Sequence, residues 1–598
     1  MELEGKDYTI KDIILIQFKY SPLNAMIMAL QVIIESIVPT LQILVTAKFL
    51  DTAISVVSGK GNLRDIFMPL SIIIMFIAYD WISKQVVKFT EVRLELKLRE
   101  KFRVAITEKR AKLKYSYVEN QDAWNLISRV SENPETKCKD AYKEVLAILS
   151  IILRIIGLLF VLATKVWWTP IVILLISIPL FYLSLKGGKA GYEAGRQVSK
   201  HQRKAQYLSE VLLGREAVDE RSLFGYTSKV NKKWWEQYET ARKSEYKVLL
   251  KYFIRMKASG IITTIISTLT VVVLIKPLQS GILTIGMFIS IVNGTFSLIS
   301  LTSWQITYYL YKLAESKEYL KDLSKFIILE ETEEAIDEPS KNISELKSLQ
   351  FKNVSFKYPD TNNYILKNLS FTIEEGKHYS FVGINGAGKT TITKLITGLY
   401  EDFQGDILIN GINIKEYSHS DLKALCSVVY QDFAKYFISF KDNIALGNVL
   451  DMGNEINEEN IDKAIKTIEL GHVTRELPKG VETSLGKIKS DGVDISGGEW
   501  QRIAMARSII SKAPLRILDE PTAALDPISE SNVYEKFKEI SRGGTTIFIS
   551  HRLGSTKLAD EIFVIGNGSI IEKGSHEELM NIKGNYEKMY ESQRSWYV

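Results

Sequence analysis

The motif whose residue types most clearly suggest a chemical function is Gly383-Ile384-Asn385-Gly386-Ala387-Gly388-Lys389-Thr390. It fits the pattern G-x-x-x-x-G-K-[ST], in which glycines let backbone N–H groups close around phosphates, the lysine reaches the outer phosphates and the hydroxyl holds Mg²⁺. The apolar residues 379–382 before it predict a strand, and residues 391–396, beginning with Thr391, predict a helix whose N-terminus faces the phosphates. The sequence therefore predicts a site for a nucleoside triphosphate and Mg²⁺.

Three more strings follow in order: Ile495-Ser496-Gly497-Gly498-Glu499, then Ile517-Leu518-Asp519-Glu520, then His551. With the glycine loop, they make residues from about 349 to 598 resemble the nucleotide-binding domain of an ATP-binding cassette (ABC) protein. In that family the Ser-Gly-Gly string is the signature motif, which completes the ATP site of the opposite subunit by setting small residues and a helix N-terminus against the γ-phosphate. Here the signature is Ser496, Gly497 and Gly498, with Glu499 where glutamine is commoner.

The resemblance assigns the hydrolytic chemistry to three residues. Asp519 closes an apolar strand and would hold Mg²⁺ through water, while Glu520 would polarise the attacking water as general base. His551 follows the strand-like residues 545–550 and matches the switch histidine that contacts the γ-phosphate. A lone histidine is more often structural, but its place one strand beyond the acidic pair favours the functional role.

Three other positions match family residues that surround the nucleotide. Gln431 resembles the glutamine that senses Mg²⁺ and links the site to the membrane domain. Tyr358 sits where the family stacks an aromatic ring on adenine, with an ordinary strand tyrosine as the alternative interpretation. Asp526 resembles the D-loop aspartate that touches the partner subunit. Every position needed for hydrolysis is therefore filled.

This completeness bears on the oligomeric state. Some family members are heterodimers in which one site has lost its glutamate, histidine or signature. This chain shows no such loss, so we expect either a homodimer with two competent sites or a heterodimer with a related half-transporter that receives its competent motifs. The homodimer is the simpler arrangement, and isologous two-fold pairing is the commonest oligomer geometry.

The first half of the chain has the composition of a membrane domain. Residues 166–185 and 258–275 carry no charge, residues 277–311 form a longer uncharged run, and about 18 apolar residues suffice to span a bilayer as a helix. Weaker candidates at 23–47, 66–87 and 145–163 bring the total to six. Buried core helices are the alternative, but three such runs are improbable in one soluble half-chain.

The loops after the second and fourth runs are long and rich in Lys and Arg, as at Arg93, Lys97, Lys200 and Arg203. Positive-inside bias places these loops in the cytoplasm with the ATP domain and both termini, and we expect a multi-pass protein of the cell membrane. By resemblance to exporter-type ABC proteins, each loop extends two membrane helices and carries a coupling helix, near residues 117–125 and 215–224. A solvated charged helix is the alternative interpretation.

Charge and composition define the expected neighbours of the chain. The net charge of +6 in 598 residues is modest, which favours lipid headgroups as partners and argues against nucleic acid. Residues 10–18 predict an interfacial elbow helix before the first span. The predicted fold class is an α-helical transmembrane domain of six spans with long cytoplasmic extensions, followed by an α/β P-loop ATP-binding cassette domain. The predicted bounds are 1–328 for the elbow and spans, 329–348 for a linker and 349–598 for the cassette.

Polar residues inside the apolar runs give hints about cargo. Glu35 interrupts the first run, Arg154 the third, and Asn293 and Gln305 lie in the sixth. Ionisable groups within a bilayer are costly and usually face a cavity or a partner, so these four residues are candidates for a substrate path. Glu35 and Arg154 could instead pair with each other structurally.

The resemblance as a whole implies an alternating-access exporter of hydrophobic or amphipathic molecules such as peptides, lipids or drugs. ATP would clamp two cassettes together, and hydrolysis would reset them. A non-transporting regulator or gated pore, which uses nucleotide state as a conformational signal, is the alternative. An importer is less consistent with the fusion of both domains in one chain.

Overall fold

The computed structural model describes residues 5–168, 170–171, 204–214, 217–301, 305–341, 344–488, 490–521, 544–550 and 553–595. The chain divides into two compact units, Met1–Glu108 with Asn125–Leu329, and Lys109–Trp124 with Glu330–Val598. The second unit thus combines the C-terminal half with a short segment from the first long loop. The domain bounds at residues 328 and 349 stay a prediction.

Helices account for most of the described chain before residue 330. They are α1 (Ile10–Tyr20), α2 (Pro22–Val57), α3 (Phe67–Leu98), α4 (Val104–Lys112), α5 (Tyr115–Glu119), α6 (Gln121–Ser131), α7 (Pro134–Lys165), α8 (Val218–Phe224), α9 (Thr227–Gln279), α10 (Ile285–Leu301) and α11 (Thr307–Ile328). Residues 204–213 are helical as well. A π-helical turn at Arg99–Arg103 joins α3 to α4.

By length and composition, three of the described helical stretches could cross a membrane: Pro22–Val57, Leu63–Lys112 and Pro134–Thr164. The runs predicted at 23–47, 66–87 and 145–163 lie inside these stretches. Large apolar side chains on them are exposed, such as Leu30 on α2 and Trp81 on α3. Exposed apolar surface of this extent suits contact with lipid rather than with water.

The other three apolar runs correspond to helices less directly. Val166 ends α7 with non-helical backbone (φ −141°, ψ 85°), and most of the run 166–185 lies outside the described residues. The run 258–275 lies within α9. In the run 277–311, α9 ends at Gln279, Gly281 adopts a positive φ of 73°, and α10 begins at Ile285. A turn therefore separates the first residues of this uncharged run, in α9, from α10, and the last residues of the run, from Thr307, belong to α11.

The amphipathic helix α1 begins with a cap formed by neighbouring side chains. The Asp12 carboxylate accepts hydrogen bonds from the Thr9 N–H and the Thr9 hydroxyl, both at 2.8 Å. Ile13 and Tyr20 are buried, whereas Phe18 is 38% exposed. The helix thus presents one face to α2 and α7 and leaves apolar side chains on the other.

Two sheets form the frame of the second unit, built from β1 (Ser348–Phe356), β2 (Leu366–Glu374), β3 (His378–Val382), β4 (Gln404–Ile409), β5 (Ile412–Asn413), β6 (Cys426–Val429), β7 (Leu515–Asp519), β8 (Thr545–Ile549), β9 (Glu561–Gly566) and β10 (Ser569–Gly574). The first sheet is antiparallel, with strand order β2-β1-β4-β5. The second has the order β10-β9-β3-β8-β7-β6 and is parallel except for β10.

The helices of this unit after residue 330 are α12 (Lys389–Ile396), α13 (His419–Leu425), α14 (Phe440–Ala445), α15 (Glu455–Thr467), α16 (Gly471–Glu476), α17 (Gly497–Ile510), α18 (His576–Ile582) and α19 (Asn585–Arg594). Strands β3 and β8 are buried at every residue, which is typical of parallel strands covered on both faces. The carboxyl ends of β3 and β7 lie at the same edge of the sheet with β8 between them. Ligands of open α/β sheets bind at that edge.

Candidate nucleotide site and membrane cavity

The glycine loop lies between β3 and α12, as the sequence predicts. Gly383 (φ 155°) and Gly388 (φ 103°) adopt backbone angles that favour glycine. A Cβ on Gly383 would lie 2.3 Å from the carbonyl oxygen of Ile565, so the loop passes too close to β9 for any side chain there. Asn385 and Gly386 are exposed at the tip of the loop. The glycines therefore serve the close approach and turn that a phosphate-binding loop needs.

Lys389 is buried at the start of α12 and turns back onto the loop. Its Nζ donates hydrogen bonds to the carbonyl oxygens of Gly383 at 2.8 Å and Ile384 at 3.2 Å. Burial lowers the pKa of Lys389, and the carboxylates of Glu520 and Asp519 act in the opposite direction. The ammonium group is thus held inside the concave side of the loop, where phosphates bind.

Three predicted residues come together at the end of β7. Asp519 is 1% exposed, and neither of its carboxylate oxygens has a hydrogen-bond partner among the described residues. Burial raises its pKa to about 6, while nearby Thr390 and Lys389 oppose the shift. Gln431, which follows β6, donates from Nε2 to Glu520 Oε2 at 3.0 Å. The arrangement gathers one buried carboxylate and one oriented carboxylate beside the glycine loop.

Glu520 itself occupies a strained backbone position. Its φ is 48°, in the left-handed region that a residue with a Cβ rarely adopts. Its N–H donates to the carbonyl oxygen of Ile549 at the end of β8, at 2.8 Å. Such conformations cluster at functional sites, because the surrounding structure must hold them in place. The left-handed backbone at Glu520 therefore ends β7, and its side chain is held by Gln431.

Tyr358, the predicted adenine-stacking residue, lies beside α12. Its hydroxyl is 2.9 Å from the Thr391 hydroxyl. Its ring meets those of Phe356 and Tyr400 edge-on, with centroids 5.2 and 5.5 Å away. Since Tyr358 is half-buried, these contacts fix the plane of its ring while leaving part of it exposed.

Three tyrosine rings, those of Tyr115, Tyr358 and Tyr400, form a cage around Lys394 on α12. The Nζ atom lies 5.3, 5.4 and 6.0 Å from their centroids, within the range of cation–π attraction. Glu119, the last residue of α5, accepts a hydrogen bond from this Nζ at 2.5 Å and another from the Tyr400 hydroxyl. Sequence reasoning missed this cluster: Glu119 lies in the predicted coupling segment 117–125 and Lys394 in the predicted helix 391–396, but 275 positions separate the two residues and no local pattern pairs them.

The signature string forms the N-terminus of α17. Ser496 is the N-cap: its hydroxyl accepts from the Glu499 N–H at 3.3 Å, and the Glu499 carboxylate accepts from the Ser496 N–H at 2.6 Å. Gly497 and Gly498 form the first turn, and a Cβ on Gly497 would meet nothing within 4 Å. Glu499 thus completes a capping box with Ser496, a role that glutamine could also fill. Two predicted residues, Asp526 and His551, lie outside the described residues.

The predicted cargo-path residues lie in the first unit, and two of them line one cavity. Arg154 on α7 donates from Nη2 to Glu35 Oε1 on α2 at 3.2 Å. Arg154 and Asn293 both line a cavity of about 260 Å³ between α2, α7 and α10. Gln305 is exposed just before α11 and does not line it. The pairing of Glu35 with Arg154 is therefore present, and Arg154 faces the cavity as well.

Comparisons with known proteins agree with this geometry. A family model described as ABC transporter matches residues 366–523. The subtilin transport ATP-binding protein of Bacillus subtilis is 29% identical over 570 residues, 94% of this chain and 90% of that protein. The nisin transport ATP-binding protein of Lactococcus lactis is 27% identical over 521 residues, 85% and 84% of the two chains.

Two further matches differ in extent. The ATP-dependent lipid A-core flippase of Mannheimia succiniciproducens is 38% identical over 245 residues, 41% of each chain. Among solved structures, a bacterial Atm1-family ABC exporter with ATP bound superimposes with a TM-score of 0.74 at 21% identity. That superposition covers 95% of this chain and 98% of the other. The fold similarity therefore extends over both halves.

Proposed function

The chain belongs to the ABC transporters, as a half-transporter of the exporter type, and on that premise we propose that it couples ATP hydrolysis to the export of peptides. The observation that carries the proposal is the contact between Gln431 and Glu520 beside the buried Asp519. It provides an oriented carboxylate next to a phosphate-binding loop, which is what the activation of an attacking water requires.

Each residue of the site has a distinct part in hydrolysis. Lys389 exchanges the carbonyl oxygens of its own loop for phosphate oxygens, so its charge is used without a large movement. Tyr358 stacks on the adenine ring, whose π face makes the contact tolerant of base identity. Glu520 accepts a proton from the attacking water, with its carboxylate oriented by Gln431. His551 and Asp526 act at the γ-phosphate and at the partner subunit, as the family resemblance implies.

The residues at the end of β7 fit a Mg²⁺ ion. Both oxygens of the Asp519 carboxylate are buried and unpartnered among the described residues, and the Thr390 hydroxyl lies close by. Carboxylate and hydroxyl oxygens suit Mg²⁺, which keeps several waters and is bound with the phosphates. When bound, Mg²⁺ neutralises charge on the transferred phosphoryl group. Asp519, Thr390 and Gln431 would hold it.

Two copies of the chain are needed for complete sites. The glycine loop and the signature N-terminus of α17 belong to the same unit, and in the family the signature of one subunit closes over the nucleotide of the other. Ser496, Gly497 and Gly498 present backbone N–H groups and a positive helix end to that γ-phosphate. Since every described catalytic position is filled, a homodimer with two active sites is the simplest assembly.

The extent of the similarity favours peptides as cargo. The alignments with the subtilin and nisin transport proteins, over 570 and 521 residues, are too long to fit within the ATP half and must include much of the membrane half. The alignment with the lipid A-core flippase spans only 245 residues. Cargo is selected by the membrane half, so similarity there is the more informative.

The orientation follows from charge. Lys and Arg residues in the two long loops, and the need of the cassette for ATP, support a cytoplasmic location for the ATP-binding domain and both termini. The cell membrane is the proposed location. Peptides would then move outward from the cytoplasm, with lipid as the surrounding partner.

The test uses purified protein in vesicles with the ATP-binding domain outward. A pool of peptides, lipids and dyes is offered with ATP, and the material accumulated inside is identified by mass spectrometry. We expect peptides to accumulate, and to stop accumulating in Glu520→Gln. Accumulation of lipids or dyes in place of peptides would show that peptides are not the cargo and would identify the cargo class instead. Passive ion flux without any accumulation, despite ATP hydrolysis, would support a gated pore instead.

A further inference from the structure

A cavity of about 260 Å³ lies inside the first unit, among helices α2, α7 and α10. Among the described residues that line it, the guanidinium of Arg154 carries the one formal charge. The remaining polar lining consists of hydroxyl and amide side chains, including Ser290 and Asn293. A charged group placed beside an intramembrane cavity is costly, and such groups mark ligand or ion pathways.

Two hydrogen-bond donors at this cavity are buried without a partner among the described residues. They are Nε of Arg154 and Oγ of Ser290, and Ser290 is only 3% exposed. A buried donor with no acceptor destabilises the protein unless a ligand or water supplies one. The ion pair with Glu35 engages Nη2 of Arg154 and leaves Nε without an acceptor, and a change of side-chain torsion would be enough to turn Nε or Ser290 Oγ towards the cavity. Both donors call for an acceptor-rich group.

The rest of the wall indicates what is attached to that group. Pro39, Ile43 and Leu158 supply apolar surface opposite the polar residues. A volume of about 260 Å³ exceeds what a carboxylate fills and is far smaller than a whole peptide. The cavity thus has room for one amino-acid residue, with an aliphatic part and an oxyanion part.

We propose that this cavity binds a carboxylate-bearing residue of the peptide cargo. Arg154 Nε and Ser290 Oγ donate to the carboxylate oxygens, the Asn293 amide donates alongside them, and the aliphatic portion packs on Ile43 and Leu158. This assignment rests on the proposed export of peptides. It names the chemical group by which the membrane domain recognises them: a C-terminal carboxylate or the carboxylate of an acidic side chain.

Glu35 then acts as a competitor for the same guanidinium. In the structure it holds Nη2 of Arg154, and its negative charge disfavours a second carboxylate nearby. Removing that charge in Glu35→Gln strengthens carboxylate binding. A purely structural ion pair predicts the reverse, because breaking it would leave Arg154 uncompensated and disturb the cavity.

The test measures equilibrium binding to the full-length, nucleotide-free protein in lipid nanodiscs. The probes are dansyl-Leu-Leu-Leu as the free acid and as the C-terminal amide, which differ at one group. We expect the acid to bind at least about tenfold more tightly, because hydrogen bonds to a charged acceptor are stronger than those to a neutral amide. Dansyl-Leu-Glu-Leu-amide, set against its Gln counterpart, reports whether a side-chain carboxylate serves equally.

Variants assign the preference to the cavity. Arg154→Gln removes the difference between acid and amide, Ser290→Ala reduces it, and Glu35→Gln enlarges it. Ser71→Ala is the matched control, since the Ser71 hydroxyl donates to the carbonyl oxygen of Phe67 within α3 and Ser71 is not among the residues that line the cavity. Should Arg154→Gln fail to fold, the double variant Glu35→Gln/Arg154→Gln keeps the cavity neutral and is expected to bind acid and amide alike.

Three outcomes would overturn the assignment. The first is equal binding of acid and amide by the wild type, and the second is an acid preference that persists without Arg154. The third is tighter binding of dodecyl phosphate than of either peptide acid, which would assign the cavity to a phosphate headgroup. If vesicles still accumulate peptides while acid and amide bind alike, the carboxylate site is wrong and peptide export stands. If vesicles accumulate no peptide with ATP, the proposed export of peptides, on which the carboxylate site rests, is itself wrong.

Discussion

The Glu119 carboxylate accepts a hydrogen bond from Lys394 Nζ at 2.5 Å, and so joins the end of α5 to the helix that follows the phosphate-binding loop. Lys394 sits in the cage formed by Tyr115, Tyr358 and Tyr400. Because Tyr358 is the adenine-stacking candidate, the position of α5 and the shape of the adenine site are physically connected. Any movement of α5 would alter nucleotide affinity, and nucleotide would bias α5 by the same free energy.

Glu119→Gln is therefore expected to weaken ATP binding without slowing chemistry. The amide cannot hold Lys394 as an ion pair, so the cation–π contact of Lys394 with Tyr358 is weakened, although Thr391, Phe356 and Tyr400 still contact the ring. Loss of about 1 kcal/mol corresponds to an increase in KM for ATP of about fivefold, with kcat nearly unchanged. Steady-state ATPase kinetics measure the two separately. Glu374→Gln removes an exposed pair with Lys377 as a control, and a fall in kcat at unchanged KM in Glu119→Gln would contradict the positioning role.

The same carboxylate should make stability depend on pH in a defined direction. Burial tends to raise the pKa of Glu119, but hydrogen bonds from Lys394 and Tyr400 outweigh it and hold the pKa below its ordinary value of 4.5. The stabilisation is thus complete above the ordinary pKa and is lost as pH falls through the lowered one. Thermal unfolding should separate wild type from Glu119→Gln at pH 7, and the difference should shrink towards pH 4. A difference that grows on acidification would refute the ionised pair.

Asp519→Asn is expected to stabilise the nucleotide-free protein while it abolishes hydrolysis. The buried carboxylate has no partner among the described residues, and removal of its charge relieves an unfavourable burial worth on the order of 3 kcal/mol, as the rise of its pKa from 3.8 to about 6 implies. Differential scanning fluorimetry without nucleotide or Mg²⁺ measures the shift in Tm. Asp406→Asn, at an exposed position of β4, serves as the control. A lower Tm in Asp519→Asn would mean that the carboxylate contributes a favourable contact in the folded state.

Gly447 provides a test of packing beneath the signature helix. A Cβ at this position would lie 1.9 Å from the carbonyl oxygen of Arg507 on α17. Gly447→Ala should therefore force the helix away, at a cost of roughly 1–3 kcal/mol, and lower both Tm and ATPase activity. Gly471→Ala, where a Cβ meets nothing within 4 Å, should leave both unchanged. Equal behaviour of the two variants would show that α17 does not pack as described.

Most residues of the ATP site could be predicted from local sequence motifs. The residues that were missed come together only through tertiary contacts. The string from Gly383 to Thr390 encodes its own backbone geometry, and Asp519 and Glu520 end a strand whose apolar character is visible in the sequence. The Lys394 cage depends on α5 meeting a helix far along the chain, which no local pattern specifies. Similarly, the sequence identified Arg154 and Asn293 singly, while the packing of α2, α7 and α10 made them share one cavity.

Helix ends within the membrane half were also difficult to predict. An uncharged run reveals apolar surroundings but does not show where a turn falls, so Gly281 divides residues 277–311 without any change in hydropathy. Helix caps are easier to predict, because Ser496 and Glu499 have the three-residue spacing of a capping box in the sequence. Their use as a helix start could have been inferred from the sequence alone.

The central claim is that Glu520 is the general base for ATP hydrolysis. The most direct test measures ATP turnover by Glu520→Gln and identifies the nucleotide that stays bound to it. The variant is incubated with ATP and Mg²⁺, turnover is measured, and the bound nucleotide is identified after rapid gel filtration. We predict that turnover falls by at least about 100-fold, as expected for loss of a general base, and that ATP rather than ADP stays bound. Glu591→Gln, which alters an exposed pair with Arg594, should hydrolyse normally. Turnover of Glu520→Gln close to that of the wild type would contradict the account.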